Sequence, residues 1–279
     1  MVPNSVLPEF IKNENGTRLA FHATAATHPD AGPGIVFLGG FMSDMTSQKA
    51  TVLESWAQKS GRGFLRLDYS GHGASGGAVR DGTIGRWLSD AMAVIQHAGT
   101  HVDGMGGDLA LVGSSMGGWI ATRIAQELAQ SGNVQRVVGL VTIAAAADFT
   151  EELLPNRLGP EALAQIRDTG VFEAPSQYSS DPYIITRELL EEGRKHLILS
   201  GDLNLNIPAR LIHGSADSDI PWTQSQKLME ALTSQDVELL IVKDGDHRLS
   251  EPSDLERMTD VVTRLCDQLS ASKASSPAR

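Results

Sequence analysis

Leu111–Gln126 reads LVGSSMGGWIATRIAQ. Its start belongs to the apolar run Asp108–Ser114, DLALVGS, and its end carries apolar side chains three and four apart, so a strand passes here into a helix through a glycine-rich turn. Two serines sit in that turn. Gly113-Ser114-Ser115-Met116-Gly117 fits Gly-x-Ser-x-Gly with Ser115 at its centre, whereas Val112 and Met116 stand at the same offsets from Ser114. A turn tight enough to aim one side chain off the end of a sheet brings strand and helix nearly into contact. A Cβ two residues to either side collides, hence the glycines, and Gly118 relaxes the packing further. In this frame Ser115 is a candidate nucleophile. The Met116 N–H lies at the helix N-terminus, where an oxyanion is stabilised. Ser114, one step back on the strand and facing the other way, is structural. The five-residue pattern alone fits a plain strand–helix turn equally well.

The rest of the chain alternates in the same manner. Phe10–Ala26 reads as a hairpin turning at Asn13–Gly16, NENG. Apolar strands follow at Gly34–Gly40, Phe64–Ser70 and Val137–Ala147, interleaved with helical periodicity at Thr46–Gly61, Thr83–Gly99 and Met116–Gly132. Strands buried on both faces and separated by helices imply a mostly parallel sheet with helices on both sides. The pattern breaks at Asp148. Residues 148–208 are helical and loop-like, without a strand run of the earlier kind, and carry scattered apolar residues, among them Leu153, Leu154, Phe172, Tyr178, Tyr183 and Ile185. Afterwards Ala209–Asp217, Pro221–Ser234, Val237–His247 and Ser253–Leu269 resume the strand–helix alternation. The expected organisation is an α/β core over 1–147 and 209–270, a helical lid over 148–208, and a flexible tail over 271–279.

Composition narrows the function. With 279 residues the chain is long enough for a sizeable core. A net charge of −11 argues against nucleic acid and against an anionic membrane surface, both of which are bound through Lys and Arg. The single cysteine, Cys266, makes neither an internal disulfide nor a zinc cluster. The opening residues, MVPNSVLPEFIKNENG, lack the basic start and apolar run of a secretory signal, and no segment reaches the roughly 20 apolar residues of a membrane span, so the expected location is cytoplasmic.

A serine nucleophile needs a base within hydrogen-bond reach and a third group to orient that base. Both are available at the ends of consecutive strands. RLIHGSADSDIPW leaves its strand at a loop holding Asp217 and Asp219, and LLIVKDGDHRLS leaves the next at a loop holding His247. The order serine, acid, histidine along the chain, each at the C-terminal edge of the sheet, is that of one of the known triad arrangements.

These motifs together give the chain its resemblance. LRLDYSGHGASGG, VGSSMGGW, HGSADSDIPW and DHRLSE resemble the α/β-hydrolase-fold serine hydrolases over nearly the whole length, and more narrowly their depalmitoylating thioesterase and acyl-glucuronide esterase branch. HGSADSDIP matches the family's His-Gly-x-x-Asp-x-x-x-Pro, which implies Asp217 rather than Asp219 as the acid. The resemblance also implies Phe41, in the loop FLGGFMSD, as the second oxyanion donor beside Met116. The broad family often has glycine before the final histidine; Asp246 stands there in this chain, and the narrower branch shares that Asp-His-Arg. The implied activity is cleavage of a carboxylic ester or thioester of a small-molecule or S-acylated substrate through an acyl-enzyme, with no metal or cofactor. The fold also serves peptidases, lactonases, carbon–carbon hydrolases, perhydrolases and non-catalytic receptors.

Other features receive plainer readings. Gly71–Gly76, GHGASG, fits Gly-x-Gly-x-x-Gly after a strand, but runs into Gly77 and Gly82 instead of a helix, which argues against a dinucleotide site. His72 is expected to pack that loop and His213 to close the turn after its strand. His22, His28, His97, His101 and His196 are expected to be exposed, and Asp236, Asp244 and Asp246 to be solvated. Trp119 and Trp222 either line the site or pack. The lid's apolar residues suggest an acyl pocket or serve only to dock it.

Overall fold

The computed structural model describes residues 7–28, 30–132, 134–176 and 181–274. In chain order the elements begin with β1 (Glu9–Lys12), β2 (Arg18–Thr24), β3 (Gly34–Leu38), α1 (Gln48–Lys59), β4 (Phe64–Leu67), α2 (Ile84–His101) and β5 (Asp108–Ser114). Then come α3 (Met116–Ser131), β6 (Arg136–Ile143), α4 (Phe149–Glu152), α5 (Leu154–Thr169), β7 (Val171–Ala174), β8 (Tyr183–Thr186) and α6 (Arg187–Gly193). The last are β9 (Ala209–Gly214), α7 (Thr223–Ala231), β10 (Val237–Val242) and α8 (Pro252–Ala274).

Eight strands form one sheet in the order β1-β2-β4-β3-β5-β6-β9-β10. β1 and β2 are antiparallel to their neighbours, and every pair from β4 onward is parallel. Alternate side chains of the central strands enter opposite cores, which is why these strands are apolar throughout rather than alternating. Val36 and Leu38, with Leu109 and Leu111, pack under α2 and α3. Ile35 and Phe37, with Ala110 and Val112, pack under α1 and α8. At roughly 1.5–3 kcal/mol for each large apolar side chain removed from water, this double layer makes the sheet a rigid platform. Among the described residues no helix is long and apolar enough to cross a membrane.

Three elements differ from the sequence reading. β6 stops at Ile143, and the alanines after it turn away, with Ala144 at φ +48° and its N–H bonded to Ile212 O at 2.8 Å. At Ala145 the small side chain has a packing reason: a Cβ on Gly118 would lie 2.8 Å from the Ala145 Cβ, so α3 and this turn touch. The 148–208 segment is not purely helical. It contains the antiparallel hairpin β7–β8, paired from Val171↔Thr186 to Ala174↔Tyr183. Four-residue strands give too short an alternation to read against the helical background. Tyr178 lies outside the described residues. α8 continues to Ala274 instead of ending at 269, and 275–279 lie outside the described residues.

The 148–208 segment has its own small core of Ile166, Ile185 and Leu190. Within α5 the helix kinks at Gly159 (φ 74°, ψ 173°), just before Pro160, which cannot donate to the preceding turn. The segment passes back over its own start before it reaches β9. Asp148, in the left-handed region at φ +53°, accepts from the N–H groups of Ile198 (2.9 Å) and Leu199 (2.8 Å). β6 and β9, on either side of the excursion, pair directly.

Candidate active site

Ser115 occupies the turn between β5 and α3 with φ 55° and ψ −122°, a conformation costing on the order of 1–3 kcal/mol for a residue with a side chain. Its surroundings hold it there. Ser115 N–H donates to Ile143 O (2.9 Å), and Ser115 O accepts from the Gly118 and Ala146 N–H groups (2.9 and 3.0 Å). The glycine frame has the cause inferred for it, with one refinement. A Cβ on Gly113 would strike the Gly117 carbonyl, so strand meets helix there; a Cβ on Gly117 would strike Leu38 O, the end of β3 rather than of β5. Ser114 is buried on the strand.

The loops after β9 and β10 bring Asp217 and His247 to this serine. His247 Nε2 lies 3.1 Å from Ser115 Oγ, and His247 Nδ1 lies 2.8 Å from Asp217 Oδ2. The loops approach through Gly214 and Gly245: a Cβ on Gly214 would collide with the Gly245 carbonyl. The Asp217 side chain is fully buried. Its Oδ1 accepts from the Asp219 (2.9 Å) and Ile220 (2.8 Å) N–H groups, and its Oδ2 faces both His247 and His213 Nε2, the latter at 3.1 Å. Burial alone would raise its pKa. The hydrogen bonds from His213 and His247, the attraction of the His247 charge and the Ile220 N–H outweigh that and hold the carboxyl far below the usual range.

His213 does more than close its turn. Its Nε2 faces two acceptors, Asp217 Oδ2 and Ile220 O (2.9 Å), so Nε2 carries the proton and Nδ1 accepts from Ser225 Oγ at 2.7 Å. It is a second imidazole on the acid: His213 opens the motif HGSADSDIP four residues before Asp217, a spacing that does not by itself announce the contact. Asp219 is engaged elsewhere, with its Oδ1 2.7 Å from Arg157 Nη2 of α5. Asp217, Asp219 and His247 present ligand atoms within 4.8 Å of one another. Backbone and imidazole N–H groups already occupy Asp217 and a guanidinium occupies Asp219, which leaves this trio poorly suited to a cation.

The remaining candidates fall in varied places. Asp236 is not a freely solvated charge but pairs with Arg210 at 2.8 Å; Asp246, although exposed, accepts from the Leu249 N–H at 2.8 Å; Asp244 is exposed. His28 and His101 are exposed as expected. His22 and His196 are not: the first is held 2.7 Å from Glu54, the second 2.6 Å from Glu192, and both are mostly buried. His97 is half-buried, edge-on to Phe21 at 5.5 Å between ring centroids. Trp119 is fully buried and donates to His196 O at 2.9 Å, while Trp222 is 38% exposed. Lys49 of α1 is a residue the sequence reading passed over. Its ammonium donates to Arg248 O and to Ser250 Oγ (3.2 Å), in the loop that carries His247. Burial, then the nearby Arg248, push its pKa down to about 8.

The loop after β3 reaches the serine. A Cβ on Gly40 would lie 3.2 Å from Ser115 Cβ, so the Gly40 backbone is in contact with Ser115. Ser43 closes a turn on Gly40 O through its N–H (3.2 Å) and Oγ (2.8 Å), with Met42 at φ +56°. The Phe41 ring stacks on Tyr183 of β8 (5.8 Å, 17°) and packs against Trp87 (5.6 Å) and Phe149 (6.3 Å). Gly71–Gly76 folds back instead of opening a helix; α2 begins only at Ile84. His72 is buried, as its packing role requires.

Comparison with known proteins agrees with this architecture. Residues 35–263 match the model of the alpha/beta hydrolase family. The palmitoyl-protein thioesterase ABHD10, mitochondrial, of Bos taurus is 34% identical over 239 residues, covering 85% of this chain and 74% of that protein. Among solved structures, a putative hydrolase from Agrobacterium vitis S4 superposes with a TM-score of 0.86 at 42% identity, over 93% of this chain and 98% of the other. Alpha/beta hydrolase domain-containing protein 10 from mouse gives 0.81 at 28% identity, over 95% and 100%.

Proposed function

The chain belongs to the alpha/beta hydrolase family, and we propose that it hydrolyses acyl thioesters and esters through an acyl-enzyme on Ser115. What carries the proposal is the unbroken relay Asp217 Oδ2–His247–Ser115 Oγ, at 2.8 and 3.1 Å, on the edge of a rigid sheet. With Asp217 accepting at Nδ1, that nitrogen holds the ring proton and Nε2 is a free base. His247 takes the Ser115 proton as Oγ attacks the carbonyl carbon, and Asp217 stabilises the imidazolium formed. The negative oxygen is received by the Phe41 and Met116 N–H groups, neither of which has another acceptor among the described residues. Collapse of the intermediate expels the thiol or alcohol with the proton from His247. A water activated by the same nitrogen then releases the acid.

The thioester preference follows the similarity to palmitoyl-protein thioesterases, together with the apolar side chains that the 148–208 segment brings over Phe41. We assign that segment the part of a lid over the acyl chain. A cytoplasmic location belongs to the same proposal; the mammalian relatives are named as mitochondrial, and cell fractionation decides between the two. A fluorophosphonate probe is expected to label the protein and not its Ser115→Ala variant. Hydrolysis of S-acyl peptides and acyl-CoA should exceed that of matched acyl glucuronides and p-nitrophenyl esters. Failure of the folded protein to label removes the serine-hydrolase reading, and a preference for peptides or lactones removes the acyl-thioester one.

A further inference from the structure

The glycine-rich loop after β4 takes no part in the chemistry above, yet it touches the loop 39–45 at three places. Tyr69 donates from its hydroxyl to Gly39 O (3.3 Å), His72 Nε2 accepts from the Met42 N–H (3.0 Å), and Asp68 Oδ1 accepts from the Met45 N–H (2.6 Å). The middle contact is made by the residue that follows Phe41. In a planar trans peptide the N–H points opposite to the C=O. Ser43 fixes Gly40 O, and with it the direction of the Phe41 N–H. The next peptide plane, Phe41–Met42, is fixed by His72. Phe41 joins the two planes, and Met42, which joins the second to the Ser43 N–H bonded back to Gly40 O, sits at φ +56°, a conformation that a side-chain-bearing residue leaves unless something holds it.

The state of His72 follows from its partners. Its Nδ1 lies 3.1 Å from Ser70 O, an acceptor, so Nδ1 carries the proton and Nε2 offers a lone pair to Met42. The ring is held edge-on by Tyr69 (5.6 Å) and Trp87 (5.2 Å), and Trp87 Nε1 donates to the same Ser70 O at 3.1 Å. Burial keeps the imidazole in its neutral form.

We propose that His72 is a positioning residue for the hydrolysis: by accepting the Met42 N–H it holds the Gly40–Ser43 turn in the conformation that aims the Phe41 N–H at the substrate oxygen. This rests on the reading of Phe41 as an oxyanion donor. Packing alone would be served by any ring of this size, so two variants separate the roles. His72→Phe keeps ring and volume and loses the lone pair. His72→Gln loses the ring and returns an acceptor oxygen close to the Nε2 position.

Each variant is assayed for kcat, KM and the Ki of a trifluoromethyl ketone, whose hemiketal oxygen occupies the oxyanion position. For His72→Phe, kcat is expected to fall about ten- to hundredfold with KM within about twofold, less than the roughly 10²–10³ of deleting a donor outright. The Ki should rise in parallel, and His72→Gln should recover most of the loss. A His72→Phe enzyme with unchanged kcat, or equal losses in both variants, overturns the proposal. Where the variants do not fold, ¹⁵N NMR of the wild-type protein reads the ring directly: a bare, hydrogen-bonded Nε2 upholds the assignment, and a protonated Nε2 overturns it. Failure of the Ser115 reading shows separately, as fluorophosphonate labelling that survives Ser115→Ala.

Discussion

Replacing Asp217 by Asn tests how the acid acts, because the structure gives the fate of each of its four contacts. The amide oxygen can still accept from the Asp219 and Ile220 N–H groups, now at 2.9 and 2.8 Å. The amide NH₂ must then take the place of Oδ2, facing His247 Nδ1–H and His213 Nε2–H, donor against donor. His213 keeps Ile220 O as an acceptor, so the fold tolerates the change. His247 has no such second partner at Nδ1. It moves its proton to Nε2, the nitrogen facing Ser115 Oγ, and ceases to be a base. A wrong tautomer of this kind costs about 10³- to 10⁴-fold in kcat, or roughly 4–5.5 kcal/mol of barrier. Asp219→Asn is the companion measurement. Asp219 pairs with Arg157, so its loss is expected to cost no more than about threefold. Steady-state kinetics on one thioester, with urea denaturation to confirm folding, read both. An Asp217→Asn enzyme within tenfold of wild type, or an Asp219→Asn enzyme as impaired as it, refutes the reasoning.

Other consequences follow from the packing. Gly117→Ala drives a Cβ into Leu38 O and should destabilise the protein by about 3 kcal/mol, while Gly107→Ala, with nothing within 4 Å, should be neutral or stabilising by up to about 1 kcal/mol; equal urea midpoints would contradict the elbow geometry. Tyr183→Ala removes the ring stacked on Phe41 and should lower kcat/KM several-fold, at a cost of roughly 0.5–1.5 kcal/mol; unchanged kinetics would mean that this contact does not steady Phe41. Lys49, pushed down to about 8, loses its proton in the folded state before it does at about 10.4 in the unfolded chain. The unfolded state binds more protons between those values, so stability gains a rising contribution from pH 8 to 10.4, on the order of 1–3 kcal/mol. Lys49→Met should flatten that rise in a denaturation series across pH 7.5–10.

Much of the site was legible because its demands are local in sequence. Gly113 and Gly117 stand at fixed offsets from Ser115, and the loops of Asp217 and His247 end neighbouring strands, so pattern and topology brought the three loops together, while the choice of Asp217 over Asp219 came with the family resemblance. What escaped notice depends on contacts distant in sequence. His72 meets Met42 across 30 residues, and Lys49 meets Ser250 across 201. Neither leaves a periodic mark. Met42 and Ala144 adopt left-handed backbone without being glycine, so composition gave no sign of their turns. β7 and β8 are four residues each, too short for alternation to stand out. The alanines 144–147 read as strand because they are apolar, whereas the chain turns at Ala144 and Ala145 meets the close approach of α3.

Asp148 has a consequence for how the molecule changes over time. Because β6 and β9 pair directly, their register does not depend on the length of the intervening segment, whose start Asp148 ties to Ile198 and Leu199. Changes of length between these two strands can leave the β6–β9 register in place, but Arg157 of the segment holds Asp219 beside the acid, Tyr183 stacks on Phe41, and the His196 carbonyl accepts from Trp119 of α3. Exchange at this junction therefore preserves the catalytic edge of the sheet only where these contacts are carried over, so the segment and the loops it touches change together along one gene.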